Sequence, residues 1–224
     1  MYEYLDYLKG LTSIPIIVHR ERHIINDLLD VLDGFKTRYA NPPFFVKRAD
    51  GKQAKLMRQC TKEYKIEMVE RAIRRTYLGL KPRQRIPKDI QVNMMIGIST
   101  DEIERVKPSQ TPWIQRSYPL IEEMEMSRGD CTAWMVKQGY KAPPRSSCMI
   151  CPFHSDSEWA RLMSNPKYRE HIIMVDSAIR KGLKGTHEGT QLYLHRSLRP
   201  IDEIQFDDNE ESTFAEECEG ICGL

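Results

Sequence analysis

Long apolar runs are missing from this sequence of 224 residues. Its hydrophobic stretches extend over only a few residues, whereas a transmembrane helix needs about 20. The first ten residues, MYEYLDYLKG, lack the basic region of a secretory signal and carry acids within their apolar pattern. These absences predict a cytoplasmic protein that does not enter membranes. In that reducing compartment, six cysteines indicate metal ligands or catalytic thiols rather than disulfides.

Basic residues are also absent from residues 202–219, which hold nine acids. The rest of the chain is therefore strongly basic, although the formal net charge is only +2. We predict an α/β domain over residues 1–200 and an acidic tail over 201–224. A basic body with an acidic tail suits an anionic ligand such as a nucleotide or a nucleic acid, and an ordinary solvated surface is the alternative.

The hydrophobic pattern alternates between strand-like and helix-like segments. Two apolar runs, IPIIVH at 14–19 and VNMMIGIS at 92–99, predict buried parallel strands. Helical spacing predicts helices over residues 2–9, 22–32, 61–78, 127–139 and 166–182. This alternation predicts an α/β fold with a parallel sheet and a helical C-terminal portion.

The second apolar run leads directly into Ser-Thr-Asp-Glu, in which Ser99 and Glu102 have the spacing of a capping box. A helix that begins at the end of a strand presents free amides, and anions bind there. Basic residues on either side of Cys60 are further donors for phosphate or sulfate. The candidate nucleotide-binding residues are Ser99, Asp101, Glu102, Arg105, Arg58 and Lys65.

Two thiols two residues apart, Cys148 and Cys151, stand before Pro152 and a predicted helix. The spacing suits a redox pair, half of a zinc site or half of an iron–sulfur site. A metal site needs further ligands, and Cys60 and Cys131 are the candidates because each lies near a predicted helix start. A small core residue is the alternative for Cys131.

Two more thiols, Cys218 and Cys222, lie in the final eight residues, ECEGICGL. Such a tail suits a mobile nucleophile or resolving thiol that becomes reactive when it docks against the basic body. A frayed terminus with incidental cysteines is the alternative.

Several motifs, taken in order, resemble the phosphoadenosine phosphosulfate (PAPS) reductase-like family of the adenine nucleotide α-hydrolase (PP-loop) superfamily. The matching segments are RQCTKEYKIEMVERAIR, IGISTDEIER, YPLIEEMEMSRGDCTAWMVKQGY, SSCMICPFHSDSEW, LYLHRS and ECEGICGL. They span most of residues 55–222.

The resemblance implies a Rossmann-like fold in which GISTDEIER lines the nucleotide pocket. It implies a 4Fe-4S cluster on Cys60, Cys148 and Cys151, with Cys131 as a fourth ligand and zinc as the alternative metal. It also implies that the tail thiol, Cys218, attacks sulfur, as in sulfonucleotide reductases. Other relatives thiolate tRNA or place sulfur in DNA backbones.

The sequence departs from the family pattern in two places. Gln59 stands where sulfonucleotide reductases carry a second cysteine beside Cys60, and no Ser-Gly-Gly-x-Asp-Ser loop is found. Relative to the family, the fold is therefore expected to be N-terminally incomplete. Without the backbone amides of that loop, ATP hydrolysis by this chain alone is not expected.

These observations lead to two hypotheses of different classes. The first is an iron–sulfur enzyme that transfers or reduces sulfur on an adenylated nucleotide, with ATP or a PAPS-like sulfonucleotide as ligand, or on tRNA or DNA. The second is a non-catalytic binding subunit with a structural zinc or iron–sulfur site, beside a partner that supplies the PP-loop. A homo-oligomer is compatible with either hypothesis.

Overall fold

A computed structural model describes residues 2–143 and 146–206 of the chain. These residues divide into two compact units. Unit 1 comprises residues 2–19 and 66–143 with Ser146, and unit 2 comprises residues 20–65 and 147–206. Unit 2 is therefore assembled from two segments that are far apart in the sequence. The predicted division at residue 200 separates a tail that is mostly outside the described residues, and it stays a prediction.

Unit 2 contains a three-stranded antiparallel sheet with the strand order β2-β1-β5. Its strands are β1 (Phe45–Lys47), β2 (Gln53–Lys55) and β5 (Gln191–Tyr193). Val46 in the central strand lies opposite Ala54 on one side and Leu192 on the other. Sequence patterns did not predict β1 or β2, because strands of three residues are too short for a recognisable alternation.

Three helices pack in unit 2, and their bounds are α2 (Ile24–Leu32), α6 (Asp156–Met163) and α7 (Pro166–Ile179). The side chain of Ser155 accepts a hydrogen bond from the Glu158 amide and caps α6, as the sequence SDSE predicts. The core that these helices share with the sheet contains Leu28, Phe44, Ile150, Trp159, Ile172, Val175, Ile179, Leu192, Leu194 and Ile201, all fully buried. The predicted helices over 22–32 and 166–182 are confirmed.

Unit 1 has short elements and few buried side chains. Its helices are α1 (Tyr2–Lys9), α3 (Glu67–Ala72), α4 (Pro119–Glu122) and α5 (Arg128–Lys137), and its strands are β3 (Val92–Met95) and β4 (Ile114–Ser117). A one-turn π-helix, Ile73–Tyr77, follows α3, and a 3-10 helix covers Thr100–Arg105. A second π-helix, Lys62–Ile66, precedes α3 and belongs to unit 2 except for its last residue. None of the described helices is long and apolar enough to cross a membrane.

The helix predicted at 127–139 is confirmed in detail. Ser127 and Asp130 form a complete capping box, in which the side chain of each residue accepts a hydrogen bond from the backbone amide of the other. Gly139, just past the end of α5, has a φ of 73°, the left-handed conformation that favours glycine after a helix.

The strand predicted at 14–19 is wrong. These residues form no strand, and the side chain of Ile14 is 73% exposed. A strand requires a neighbour for its backbone hydrogen bonds, and no described strand pairs with this segment. An apolar run of this kind is therefore not sufficient evidence for a strand.

The second predicted strand is present as β3, which pairs in parallel with β4. It is shorter than predicted and not fully buried, because its side chains alternate and Met95 is 71% exposed. The mixed α/β class is confirmed, with one parallel pair among the described strands. The Rossmann-like sheet stays a prediction.

Candidate functional site

Cys148 and Cys151 lie at the two ends of a tight turn in unit 2. The Cys151 amide donates a hydrogen bond to the Cys148 carbonyl oxygen at 2.9 Å, and the Ile150 amide donates to the Cys148 thiol. The Nε2 atom of His154 also lies 2.9 Å from the Cys148 carbonyl oxygen. The turn thus presents a sulfur atom that already accepts a backbone hydrogen bond, an arrangement that stabilises a thiolate.

Cys60 is held by the first segment of unit 2. The amides of Gln59 and Cys60 both donate to the carbonyl oxygen of Asn41, at 3.1 and 3.3 Å. The Asn41 side-chain amide in turn donates to the Met57 carbonyl oxygen at 3.0 Å. Because these bonds cross between two stretches of loop, they fix the position of Cys60 independently of the helix that follows it.

The fold brings Cys60 into the neighbourhood of Cys148 and Cys151. Burial is the main cause of the raised pKa of the Cys60 thiol, and the charge on Cys151 raises it further. Burial likewise raises the pKa of Cys148 to about 11, against a hydrogen bond from Ile150, and charges on Cys151 and Cys60 add to the rise. Three of the four predicted metal ligands therefore interact electrostatically inside one unit.

These pKa shifts determine the state of the thiols without a metal. At neutral pH Cys148 is a neutral thiol, and a neutral thiol is a poor nucleophile. A bound metal cation would reverse this, since its charge deprotonates a coordinating thiol. Without a metal, Cys148 is therefore poorly suited to acting in a redox pair.

The thiols are suitable metal ligands by their chemistry, but the structure does not arrange them as a metal site. Within residues 2–143 and 146–206, no three histidine, cysteine, aspartate or glutamate side chains are arranged so that they could hold a metal ion. The three free thiols of unit 2 are nevertheless a soft donor set, the type that binds iron–sulfur clusters and zinc. Their chemistry, but not their arrangement in this structure, suits three ligand positions of such a group.

The fourth predicted ligand, Cys131, belongs to α5 in unit 1. Burial raises the pKa of its thiol, and its charged neighbours are Asp130, Asp101 and Arg128. Its assignment as a ligand stays a prediction.

Basic side chains adjoin the thiols of unit 2. Arg58 lies over the ring of Phe153, with the guanidinium carbon 4.5 Å from the ring centroid, and the Lys55 ammonium lies 5.3 Å from it. Arg58 and Lys65 both lower the pKa of Cys60. These two cations therefore partly offset the effect of burial on Cys60, and their role in nucleotide binding stays a prediction.

A network of buried charges fixes the segment that follows Cys60. The Asp27 carboxylate accepts hydrogen bonds from Arg22, Lys36 and Tyr64, the last at 2.6 Å. Burial alone would raise the pKa of Asp27, but these bonds outweigh it and hold the pKa at about 2. Arg22 also pairs with Glu63 at 2.7 Å. The turn Lys62–Ile66 is thereby attached to α2, and the sequence had no signal for this network.

Tyr39 also lies near the candidate site, and no sequence pattern predicts that position. Its side chain is 7% exposed, and its hydroxyl makes no hydrogen bond with any described residue. Burial raises the pKa of this hydroxyl, and charges on Tyr64, Cys148 and Cys60 raise it further. A buried hydroxyl without a partner costs about 1–3 kcal/mol. Its position near two thiols makes it an unused donor at the candidate site.

We expect Tyr39→Phe to stabilise the metal-free protein by about 1 kcal/mol, because the change removes a buried donor that has no acceptor. Urea unfolding measures the difference. The matched control is Tyr193→Phe, since Tyr193 is similarly buried but its hydroxyl donates to Gln191 at 3.0 Å. The control should lose about 1 kcal/mol. Equal losses in both variants would show that Tyr39 has a partner.

The predicted nucleotide-binding segment in unit 1 has a different structure from the one expected. A capped α-helix after Ser99 is wrong, because a 3-10 helix with a kink at Glu102 forms there and the Ser99 side chain caps no amide. The hydroxyl of Ser99 instead bonds Asp101, which also accepts the Arg128 amide at 3.0 Å. The amide at the start of α5 is thus bonded to a carboxylate.

The other acid of this segment is also engaged. Glu102 pairs with Arg105, and its carboxylate lies 3.6 Å from the Arg128 guanidinium. The structure therefore brings Ser99, Asp101, Glu102 and Arg105 together in unit 1, while Arg58 and Lys65 lie beside the thiols of unit 2. Their shared role in nucleotide binding stays a prediction.

The predicted catalytic thiols Cys218 and Cys222 lie outside the described residues. Comparisons of the chain with models of protein families, with curated proteins and with solved structures found no match.

Proposed function

We propose that this chain is an iron–sulfur enzyme of the PAPS reductase-like type, with a Rossmann-like fold, that transfers or reduces sulfur on an adenylated nucleotide or a nucleic acid. The observation that carries the proposal is the electrostatic contact of Cys60, from one segment of unit 2, with Cys148 and Cys151, from the other. Neighbouring basic groups, Arg58 and Lys65, support an anionic substrate.

Cys60, Cys148 and Cys151 would hold the cluster. When bound, a cluster with three protein thiols supplies an iron position that is open to sulfur or to another ligand. The chain's own groups then serve the substrate. Arg58 and Lys65 attract a sulfate or phosphate group, and the Ile150 amide donates to the Cys148 sulfur.

Tyr39 would have an acceptor in the loaded site. Its buried hydroxyl would donate to a sulfur atom or an anionic oxygen held near Cys60 and Cys148. The stabilisation expected for Tyr39→Phe in the metal-free protein should then disappear once metal is bound, which the same urea titration measures.

The tail thiol Cys218 would act as the nucleophile on a sulfonucleotide. Its thiolate attacks the sulfonate sulfur, so that an S–S bond forms while the bond from sulfur to the phosphate oxygen breaks. The nucleotide leaves with that oxygen and its negative charge. An external dithiol then reduces the S-sulfocysteine by two electrons, regenerating the thiol and releasing sulfite.

We expect Cys218→Ala to abolish sulfite release from adenosine phosphosulfate or PAPS while leaving the iron and sulfide content unchanged. The reason is that Cys218 forms the covalent intermediate but does not bind the metal. Sulfite release is measured in the presence of a dithiol reductant. Unchanged turnover would rule out the tail as the nucleophile.

The alternative, a non-catalytic binding subunit with structural zinc beside a partner bearing the PP-loop, is favoured by one observation. Burial raises the pKa of the Cys60 and Cys148 thiols, and a raised pKa makes a thiol less reactive. Stoichiometric zinc, no inorganic sulfide and no turnover of a sulfonucleotide would support this alternative.

A further inference from the structure

Unit 1 contains a cleft of about 490 Å³ on one face of β4. Its lining includes Ile114, Gln115 and Arg116 of β4 and Tyr118 just after it, and the segment 106–109 forms another wall. Tyr118 holds this wall in place, because its hydroxyl donates to the Lys107 carbonyl oxygen at 2.7 Å and accepts the Lys107 amide at 3.2 Å. The cleft is therefore built from fixed backbone.

The guanidinium of Arg116 in this cleft has unused donors. Its Nη1 atom makes only long contacts, 3.4 Å each, with the carbonyl oxygens of Lys107 and Pro108. Its Nε atom is buried and bonds no described residue. A guanidinium has five N–H donors in a planar fork that matches an oxyanion, so this one is incompletely satisfied.

The positive charges in the lining of the cleft outnumber the negative ones. Neither Arg116 nor Lys107 forms an ion pair with any residue that the structure describes. The one carboxylate in the lining, that of Glu122, accepts the Tyr118 amide at 2.9 Å. A half-buried guanidinium without a counterion is costly, and an anion in the cleft would supply the missing charge and acceptors.

We propose that this cleft binds the phosphate group of a small phosphomonoester. Arg116 would hold two phosphate oxygens through its fork, and Lys107 would supply the second positive charge. With the Glu122 carboxylate counted, the lining still carries a net positive charge, and phosphate offers the fork more acceptor oxygens than a carboxylate does. The volume falls within the range of clefts that bind small molecules, which is about 300–1,000 Å³.

The test is calorimetric titration of the full chain at low ionic strength with inorganic phosphate, adenosine 5′-monophosphate, adenosine and acetate. Inorganic phosphate and the monophosphate should bind, and adenosine and acetate should not. If the monophosphate binds more tightly than inorganic phosphate, the cleft also contacts the nucleoside. Equal binding would restrict recognition to the phosphate group. Binding by neither phosphate compound, or equal binding of adenosine and its monophosphate, would overturn the proposal.

Three variants locate the site. Arg116→Met should weaken binding of the monophosphate by about tenfold to a hundredfold, since the variant loses the charge-assisted hydrogen bonds of the fork. Lys107→Gln should weaken it less and keeps the backbone bonds to Tyr118, so it decides the question if Arg116→Met fails to fold. The control, Arg85→Met, changes an exposed arginine outside the cleft and should have no effect. Wild-type affinity in both cleft variants would overturn the proposal.

This proposal does not depend on the metal site. Iron and sulfide content should be the same in Arg116→Met as in the unmodified chain. The experiments can therefore contradict the phosphate proposal without contradicting the metal proposal, and the reverse.

Discussion

Anaerobically purified Cys148→Ala protein is expected to contain neither iron nor inorganic sulfide, whereas the unmodified chain should contain both. Cys148 packs against the hydrophobic core of unit 2, and its sulfur already accepts the Ile150 amide. Removing it leaves Cys60 and Cys151, and two thiols are too few to hold a cluster. Iron and sulfide analysis with the visible absorbance spectrum measures the loss, which should be nearly complete.

The control for this experiment is Cys131→Ala, which tests the predicted fourth ligand at the same time. If Cys131 is not a ligand, the variant should keep its iron and sulfide. If it is, the content should fall as it does in Cys148→Ala. Zinc in stoichiometric amount without sulfide in the unmodified chain would contradict the iron–sulfur proposal, and full retention of the cluster by Cys148→Ala would contradict the assigned ligands.

Asp27→Ala is expected to lower the free energy of unfolding by about 3–5 kcal/mol, the usual cost of removing one partner from a buried ion pair. Asp27 accepts hydrogen bonds from Arg22, Lys36 and Tyr64, so its loss leaves the buried end of Arg22 without one of its two carboxylates. Urea unfolding of the metal-free protein measures the change. The variant should also bind metal more weakly, because Tyr64 and the turn after Cys60 lose their attachment to α2.

The matched control is Asp30→Ala on the same helix. Asp30 pairs with the same Lys36 at 2.6 Å, but its side chain is 40% exposed. Solvent screens an exposed pair, so this variant should lose much less stability than Asp27→Ala. Equal losses in the two variants would contradict the importance assigned to burial.

Acid titration gives a second measure of the same group. The pKa of Asp27 is about 2 in the folded protein and has an ordinary value of 3.8. A lowered pKa contributes stability above pH 3.8, and that contribution is lost as the pH falls toward 2. Asp27→Asn should lack this part of the acid dependence, whereas Asp30→Asn should retain it.

Two similar sequence patterns in unit 1 had opposite outcomes. At Ser127 and Asp130 a capping box forms, because each side chain reaches the other's backbone amide. At Ser99 and Glu102 it does not form, because the hydroxyl of Ser99 bonds Asp101 instead. Asp101 also accepts the amide at the start of α5, a contact between residues that are distant in sequence. The spacing of Ser99 and Glu102 alone therefore does not show that Asp101 competes for the Ser99 hydroxyl.

The candidate site likewise has features that the sequence predicts and features that it does not. The C-x-x-C spacing and the basic residues around Cys60 were visible in the sequence. Tyr39 and Asp27 were not, because an aromatic residue in a loop and an acid in a helix have no distinctive pattern. Their roles follow from what the fold places around them, namely two thiols near a hydroxyl without an acceptor and three donors around one carboxylate.

The sequence by itself determined most helices of this protein, its soft donor atoms and the charge contrast between body and tail, since these depend on neighbouring residues and on composition. Tertiary structure alone decided that Cys60 lies near Cys148 and Cys151, that residues 14–19 form no strand, and that Arg116 lies in a cleft without a counterion. The physical reason is that each of these three features depends on contacts between segments that are far apart in the sequence. A local pattern does not show which distant segment will supply a hydrogen bond, a counterion or a covering surface.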